Sequence, residues 1–443
     1  MSEKLVTDEP STSVLGREMG FCGAALTGLR SMVGAGVFVS LGTAADRAGT
    51  AIGLAIGIGA IVSLCNGLNL IQLAAHSAYG SDTYGYSEGR LSPWWGFAAG
   101  WTLLLAQSAA AATAALGIAN YLLNAVGLSE PIAVISTALA IVAMAVGMTL
   151  KGVRLSRSTH RLILLIALSS LLFFIGAGIA SAIVSNADKL TVLFHSATTQ
   201  PIDRVALLQA SSLMIVAYAG YGQIAGLSQE RQPHSIASLI TALITAIITA
   251  CLLYEGVTIA ALSTVEAIVW GETVEGFVAP LERIAQNFNV PGSSMILAVG
   301  AIVAMSGILL HLITDLAWVM WTMGQQRDLS SRFARINAAG VPALGVLVVG
   351  GAIACVILNG SIATIWSFSA FNFLLYSAVT HLAAFHLTAP ERLCPRWLTG
   401  ISLVVCISLA FCFDWKLWLV WSGLVVIGVI WRGINQWSNQ QSE

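Results

Sequence analysis

Charged side chains are scarce in this chain. Only 9% of its 443 residues are Asp, Glu, Lys or Arg, whereas soluble domains carry about 25%. Hydrophobic residues make up 57%, and the mean hydropathy is +0.84. A surface this poor in charge excludes an ordinary water-soluble domain. The composition therefore predicts an integral membrane protein.

The sequence also lacks the patterns of several functional classes. Its net charge of −1 provides no basic face, which argues against nucleic acid as a partner. Six of its seven cysteines lie inside apolar stretches and form neither a disulfide framework nor a zinc motif. No nucleophile arrangement, metal cluster or phosphate loop is visible in the sequence. We therefore predict that the protein is not an enzyme and binds no metal or cofactor.

Long apolar runs dominate what is present. A helix of about 20 apolar residues crosses a bilayer, and we count twelve candidate segments. They lie near residues 20–42, 51–75, 93–126, 131–150, 161–184, 205–228, 235–262, 292–323, 342–358, 362–387, 397–413 and 415–432. The predicted fold class is therefore an all-α integral membrane protein with twelve transmembrane helices.

The positive charges predict how these segments are oriented. If both termini are cytoplasmic, fourteen of the twenty Lys and Arg residues fall inside and five outside, as the positive-inside rule requires. The first 20 residues are polar without an apolar core, so we expect a cytoplasmic tail rather than a signal peptide. The expected location is a plasma or inner membrane. Arg30 is the one basic residue left inside an apolar segment.

Paired glycines interrupt two of the predicted spans. Residues 28–38 read GLRSMVGAGVF, with Gly34 and Gly36, and residues 217–227 read AYAGYGQIAGL, with Gly220 and Gly222. Each glycine costs a helix interior about 1 kcal/mol relative to alanine, so either close helix packing or a helix break has to offset that cost. Interruptions at corresponding positions of two halves favour the breaks. Such breaks indicate a transporter's binding site, because they free backbone groups that a polar ligand can satisfy.

These and two further stretches resemble a known family. SMVGAGVF is similar to the first-helix signature of the amino acid, polyamine and organocation (APC) permeases, and AYAGYGQIAGLSQERQP is similar to their sixth-helix pattern. GWTLLLAQ and MGQQRDLSSRF resemble the family's third-helix and eighth-helix motifs. The resemblance implies a five-plus-five inverted repeat, the LeuT-like or APC fold, and two further helices. It divides the chain into a cytoplasmic tail 1–19, a transport core 20–390, two helices in 391–433 and a cytoplasmic tail 434–443.

The resemblance also implies where a substrate binds. An amino acid's carboxylate would meet backbone N–H groups in the first span, and its amino group would meet carbonyls in the sixth. The residues concerned in the first span are Ser31, Met32, Gly34, Ala35 and Gly36. Those in the sixth span are Ala217, Tyr218 and Gly220, and the side-chain candidates are Gln107, Tyr221 and Asn372.

Three ionisable residues within the spans are candidates for energetic coupling. His311 and Asp315 lie four apart in the eighth span, and therefore on one helix face. In the sodium-coupled branch of the implied fold, a cation lies between the first and eighth helices. We hypothesise that Arg30 takes this place and pairs with Asp315, with His311 beside it. Two interpretations stay open: a static pair or an Arg30 that extends to the interface, and a proton site linked to transport.

An external segment, predicted between residues 263 and 292, contains FVAPLERIAQNF. Its apolar residues Phe277, Leu281, Ile284, Ala285 and Phe288 recur at helical spacing. The pattern is typical of an amphipathic helix. Either a lid over the outer mouth or a plain surface helix fits it.

The function that follows is secondary amino-acid transport by alternating access, without sodium, as a proton symporter or an exchanger. A guanidinium near the site would repel Lys and Arg as substrates, and the predicted site is lined by Gly, Ala and Ser. Small neutral amino acids are therefore the expected substrates, with anionic ones next. The expected partners are this amino acid, the lipid bilayer and protons, and not nucleic acid. Two other classes stay open: a channel of the same fold and a non-transporting amino-acid sensor.

Overall fold

The computed structural model describes most of the chain. The described residues are 21–34, 36–76, 85, 87, 90–128, 130–153, 155–185, 203–229, 235–264, 280–288 and 290–440. The predicted tail 1–19, the last residues of the predicted tail 434–443, and the candidates Ala35 and Phe277 lie outside them. Within the described ranges all regular secondary structure is helical.

The first half of the chain contains one interrupted helix and several continuous ones. The interrupted helix consists of α1 (Phe21–Met32), a π-helical turn (Gly36–Ser40) and α2 (Leu41–Ala48). After a short 3-10 turn follow α3 (Ile52–Ala75), α4 (Pro93–Asn124), α5 (Pro131–Leu150) and α6 (Arg157–Ser185). Proline opens α4 and α5, at a position where its missing N–H costs no helical hydrogen bond.

The second half of the chain also contains an interrupted helix and several continuous ones. It begins with α7 (Arg204–Ala217), whose first turn is capped by Asp203 accepting from Val205 N at 2.9 Å. A three-residue turn then leads to α8 (Tyr221–Gly226). The remaining helices are α9 (Ile236–Leu262), α10 (Pro280–Gln286), α11 (Ser293–Gln325), α12 (Ala343–Ile357), α13 (Ile362–Phe385), α14 (Arg396–Phe411) and α15 (Trp415–Gln440).

Many of these helices have the length and composition of membrane spans. Eight helical stretches in the described part of the chain are long and apolar enough to cross a bilayer. Three shorter apolar helices, α7, α12 and α14, fall where the sixth, ninth and eleventh spans are predicted. The all-helical fold is therefore as expected, while the count of twelve crossings and the inverted repeat stay predictions.

Burial identifies the centre of the bundle. The most apolar stretches of α4 and α13 are 83% and 78% buried, whereas that of α15 is only 11% buried. α13 packs along α4 and also against α7, and α4 packs along α11. The broken helix α7 therefore contacts the central helices, and α15 lies at the periphery.

The amphipathic segment is packed rather than loose. Leu281, Ile284, Ala285 and Phe288 are each at most 4% exposed. Their helix α10 packs against α11 and against the π-helical turn after α1. The predicted apolar face is therefore buried against the bundle, and a role as a lid stays a prediction.

Candidate functional site

The helix of the first span is interrupted at its glycine pair. α1 ends at Met32, and Gly34 N donates to Met32 O at 3.1 Å. Both Val37 N and Phe38 N then donate to Gly34 O at 3.1 Å, which opens the π-helical turn. We call residues 33–35 the first break; its last residue, Ala35, lies outside the described ranges. The regular α-helix is lost at Gly34, as predicted, and Gly36 begins the π-helical turn.

The helix of the sixth span is interrupted less severely. α7 ends at Ala217, and residues 218–220, the second break, form a turn. In this turn Ala219 N donates to Val216 O at 3.0 Å, and Gly222 N donates to Ala219 O at 3.1 Å. Three-residue spacing of these bonds is that of a tightened 3-10 turn. The α-helix is thus interrupted here, while these backbone N–H groups keep hydrogen-bond partners within the protein.

The two interrupted helices contact each other at glycine residues. A methyl group on Gly36 would lie 2.9 Å from Ala217 Cα, and one on Gly220 would collide with the carbonyl oxygen of Gly28. By contrast, a methyl group on Gly222 would meet nothing within 4 Å. The small residues that interrupt the helices are therefore also the ones that let their backbones touch.

A tyrosine of α9 ties the two breaks together. The hydroxyl of Tyr254 lies 2.7 Å from Met32 O and 3.0 Å from Ala217 O, the last carbonyls of α1 and α7. Carbonyls at a helix end have no partner within the helix. One buried hydroxyl therefore serves both, since Tyr254 is fully buried.

A cavity of about 90 Å³ lies where the breaks meet α4, α11 and α13. Of the predicted substrate residues, five line it: Ser31, Gly36, Gln107, Ala217 and Gly220. Most of its wall is apolar, with contributions from Val216, Ile308 and Leu312. A small cavity with an apolar wall and few polar groups is suited to a small, largely apolar ligand.

One buried polar group in the cavity wall has no hydrogen-bond partner among the described residues. Trp366 of α13 is 2% exposed and lines the cavity, and its indole Nε1 makes no hydrogen bond with the described residues. Ser31 Oγ, at the inner end of α1, is buried and unpartnered in the same way. Buried polar atoms nearly always have partners. These two are therefore candidates for ligand contacts.

Several predicted site residues lie beside the cavity rather than in its wall. Tyr218 packs on Tyr254 with a ring separation of 5.1 Å, and Tyr221 packs on Phe373 at 6.1 Å. Asn372 is fully buried and donates to Phe368 O at 2.8 Å. Met32 and Gly34 likewise face protein: Met32 is fully buried, and Gly34 packs against Ile308. These residues therefore pack behind the residues that line the cavity.

Other lining residues were absent from the sequence prediction. On α13 they are Trp366, Ser369 and Phe373, whose spacing of three and four residues places them on one helix face. Asn372, the predicted residue, lies outside this stripe. A stripe at helical spacing that contains a tryptophan and a serine is the sequence signal that could have identified these lining residues. Gln223, three residues after the second break, also lines the cavity.

The coupling candidates form a partly different cluster from the one expected. Asp315 Oδ2 lies 3.2 Å from His311 Nε2 and accepts from Gln223 Nε2 at 3.2 Å. Arg30 feels the charge of Asp315, although the two form no direct ion pair among the described residues, and their pairing stays a prediction. Arg30 instead shares a cavity of about 10 Å³, room for about one water, with His311 and His160 of α6.

Two carboxyl groups outside the spans have shifted titration. The pKa of Glu391 is lowered to about 2, chiefly because Arg90 donates to both of its oxygens at 3.0 and 2.7 Å. The pKa of Glu282 in α10 is raised by burial. Both groups lie away from the cavity, so neither contributes to its chemistry.

Comparison with known proteins agrees with this geometry. The model of the family described as amino acid permease matches residues 23–431. An uncharacterized transporter of Mycobacterium tuberculosis is 29% identical over 417 residues, which are 94% of this chain and 90% of the relative. A branched-chain amino acid permease of Bacillus subtilis is 20% identical over 352 residues, 76% of this chain and 73% of that protein.

Proposed function

The chain belongs to the amino acid permease family, and from this premise we propose that it carries a neutral amino acid across a cell membrane by alternating access. Membership supports a multi-pass membrane transporter rather than an enzyme. The full proposal adds twelve crossings, a five-plus-five repeat in residues 20–390, two further helices in 391–433, and both termini in the cytoplasm.

One observation carries the proposal: the cavity lies where two interrupted helices touch, and a buried indole N–H in its wall has no partner among the described residues. Hydrocarbon cannot satisfy free backbone groups, whereas a zwitterion can. Val33 N and Gly34 N already donate within the protein, so we assign the substrate carboxylate to the backbone N–H groups that follow them, up to Gly36 and beside Ser31. We assign its amino group to carbonyls of the second break, from Ala217 to Gly220.

The wall of the cavity supports a neutral aliphatic side chain. Val216, Ile308, Leu312 and Phe373 are apolar, and Gln107 and Ser369 carry no charge. His311 is the one ionisable residue in the wall, and it lies beside Asp315. The relative named as a branched-chain amino acid permease supports the same class. Small to branched neutral amino acids are therefore the proposed substrates.

For coupling we propose that the cluster of Asp315, His311 and Gln223 binds a proton during the cycle. Its position supports this, since His311 and Gln223 both line the substrate cavity while Asp315 is 36% exposed. A proton can therefore reach Asp315, and its binding would change the electrostatic environment of His311 and Gln223 in the cavity wall. Arg30 stays charged at all ordinary pH values, so it would tune this cluster rather than carry the proton.

Uptake into proteoliposomes tests the function. The purified protein should accumulate radiolabelled neutral amino acids with saturation, and an inward proton gradient should raise the initial rate. A protein that binds amino acids without any uptake would be a sensor. A conductance that does not saturate would indicate a channel.

A matched pair of variants tests the coupling. In Asp315→Asn the proton gradient should no longer raise uptake. Glu255→Gln is the control, because Glu255 is an acidic residue of α9 that lies against Gly53 and not in the cavity wall. If both variants keep the response to the gradient, the proposed proton site is wrong while transport itself can stand.

A further inference from the structure

A second cavity, of about 390 Å³, lies between the first turns of α6 and the inner part of α1. We call it the α1–α6 groove. Its polar wall consists of Arg30, Arg157, Arg161 and His160. The rest of its wall is apolar and includes Leu26 and Leu165. It is separate from the substrate cavity, with which it shares no residue.

The charge in this groove is of one sign. Three guanidinium groups line it, and no carboxyl group does so within the described residues. Arg157 and Arg161 lie four residues apart, on one face of α6. Like charges at this spacing repel each other by a few tenths of a kcal/mol. An anion with several acceptor oxygens would remove that repulsion and engage all three groups.

The apolar part of the groove continues along the outside of the bundle. Leu26 of α1 is 44% exposed and Leu165 of α6 is 61% exposed, so both face the space that lipid fills around a membrane protein. Arg157 and Arg161 stand at the start of α6, where a span enters the bilayer. Basic residues at the end of a span with leucines below them match the two ends of a phospholipid.

We propose that the α1–α6 groove binds an anionic phospholipid. The phosphate of its headgroup would contact Arg157 and Arg161 and reach Arg30, while an acyl chain would lie over Leu26 and Leu165. A zwitterionic lipid offers the same chains but no net negative charge, so it would bind more weakly. A free phosphate offers the charge without the chains and would leave the leucines uncovered.

This lipid would also account for the cost of Arg30. An arginine within a span costs at least about 2.5 kcal/mol when it has no partner, and among the described residues Asp315 attracts Arg30 without forming a direct ion pair with it. Arg30 lines both the groove and the small cavity shared with His311. A headgroup in the groove would attract Arg30 away from His311, so lipid occupancy would alter the surroundings of the coupling cluster.

Lipid titration of the purified full-length protein tests the proposal without any transport assay. Native mass spectrometry would count bound dioleoylphosphatidylglycerol and dioleoylphosphatidylcholine, and thermal unfolding would be followed in parallel. We expect the phosphatidylglycerol to bind more tightly and to raise the unfolding midpoint. Glycerol 3-phosphate and inorganic phosphate serve as headgroup probes without chains and should raise it little.

The decisive variant is the double substitution Arg157→Gln with Arg161→Gln. Each basic side chain near an anionic lipid strengthens binding about fivefold, so the affinity for phosphatidylglycerol should fall about thirtyfold. Arg332→Gln with Arg335→Gln is the control: it removes two exposed arginines from another loop and should change the affinity less than about twofold. The conservative pair Arg157→Lys with Arg161→Lys should restore most of the binding.

Three results would overturn the proposal. Equal affinity for the two lipids would remove the role of charge. An equal loss in the groove variant and the control variant would place the lipid on the bundle surface in general. Equal stabilisation by inorganic phosphate would make the groove a site for a free anion. If the glutamine pair does not fold, the lysine pair compared with Leu165→Gln separates the headgroup and chain contributions.

Discussion

The two breaks follow from the same kind of sequence yet differ in structure. At the first break, Gly34 O receives both Val37 N and Phe38 N, and the helix resumes as a wider π turn. At the second break, hydrogen bonds with three-residue spacing tighten the backbone into a 3-10 turn, and the α-helix resumes directly as α8. The first break is therefore the more open of the two. We infer that it presents backbone N–H groups to the substrate, while the second presents carbonyls.

The glycines contribute differently to this contrast. Gly36 and Gly220 pack against the backbone of the opposite broken helix, whereas Gly222 faces open space. Gly36 and Gly220 thus determine how closely the two interrupted helices approach each other, whereas Gly222 provides backbone flexibility alone. Substitutions at these positions can separate close approach from backbone freedom.

The largest effect is expected from Gly36→Ala. Its methyl group would lie 2.9 Å from both Cα and Cβ of Ala217, so the breaks have to separate. Overpacking of this kind costs about 1 to 3 kcal/mol, and uptake should fall at least about tenfold. Gly222→Ala is the control and should unfold and transport like the parent protein. Thermal unfolding in detergent and uptake assays check both variants, and equal behaviour of the two would contradict the close contact.

Next in size is Tyr254→Phe. Removing its hydroxyl leaves Met32 O and Ala217 O without that donor in a buried place, which should cost about 1 to 3 kcal/mol. Tyr121→Phe is the matched control, since that hydroxyl donates to a single carbonyl, Phe38 O, in the π turn at 3.1 Å. Its expected cost is about 1 kcal/mol. A larger loss for Tyr121→Phe would mean that the π turn, and not the junction of the breaks, limits stability.

Trp366→Phe should separate ligand contact from structural support. Since the indole N–H has no partner among the described residues, its removal breaks no hydrogen bond seen within them, and without substrate the variant should lose only the stability of the smaller buried ring. The KM for uptake should rise about fivefold, the loss of one hydrogen bond of about 1 kcal/mol. Ser369→Ala provides the contrast, because Ser369 donates to Ala106 O and its loss should reduce stability as well. An unchanged KM in Trp366→Phe would remove this residue from the substrate site.

The smallest effect is expected far from both breaks. The Arg90–Glu391 pair links the segment before α4 to the segment after α13, and it lies at 2.7 Å. The pKa of Glu391 is lowered, so the pair stabilises the fold above the usual glutamate pKa, and this contribution is lost as the pH falls towards about 2. Arg90→Ala should therefore shift the unfolding midpoint slightly and equally at pH 6 and pH 8. A shift confined to one of these pH values would contradict this assignment.

The sequence predicts the position of both breaks because the glycine pairs recur at corresponding positions of the two predicted halves. A glycine pair alone is not sufficient, since Gly57 and Gly59 lie within the continuous helix α3, and Gly176 and Gly178 lie within the continuous helix α6. It also predicts the amphipathic α10 face from the spacing of Leu281, Ile284 and Phe288. It could not give the difference between the breaks, which depends on neighbours such as Tyr254 in a distant helix. Three of the four lining residues predicted in the broken spans are Gly or Ala, where backbone shape decides the role.

The side chains around the cavity were harder to predict for a related reason. α4 and α13 are buried on nearly all sides, so their apolar pattern does not reveal which face meets the cavity. Asn372 was chosen for its polarity, but the face that lines the cavity carries Trp366 and Ser369. The pairing of Arg30 with Asp315 stays a prediction: Asp315 attracts Arg30, while Gln223 and His311 are its direct contacts.

A structure of the protein with a bound neutral amino acid tests the central claim most directly. The account predicts the ligand in the cavity at the junction of the breaks, with its carboxylate within 3.2 Å of backbone N–H groups between Gly34 and Gly36. Its amino group should lie near the carbonyls from Ala217 to Gly220, and the indole N–H of Trp366 should face it. A ligand bound elsewhere, with a continuous helix through both glycine pairs, would contradict the account.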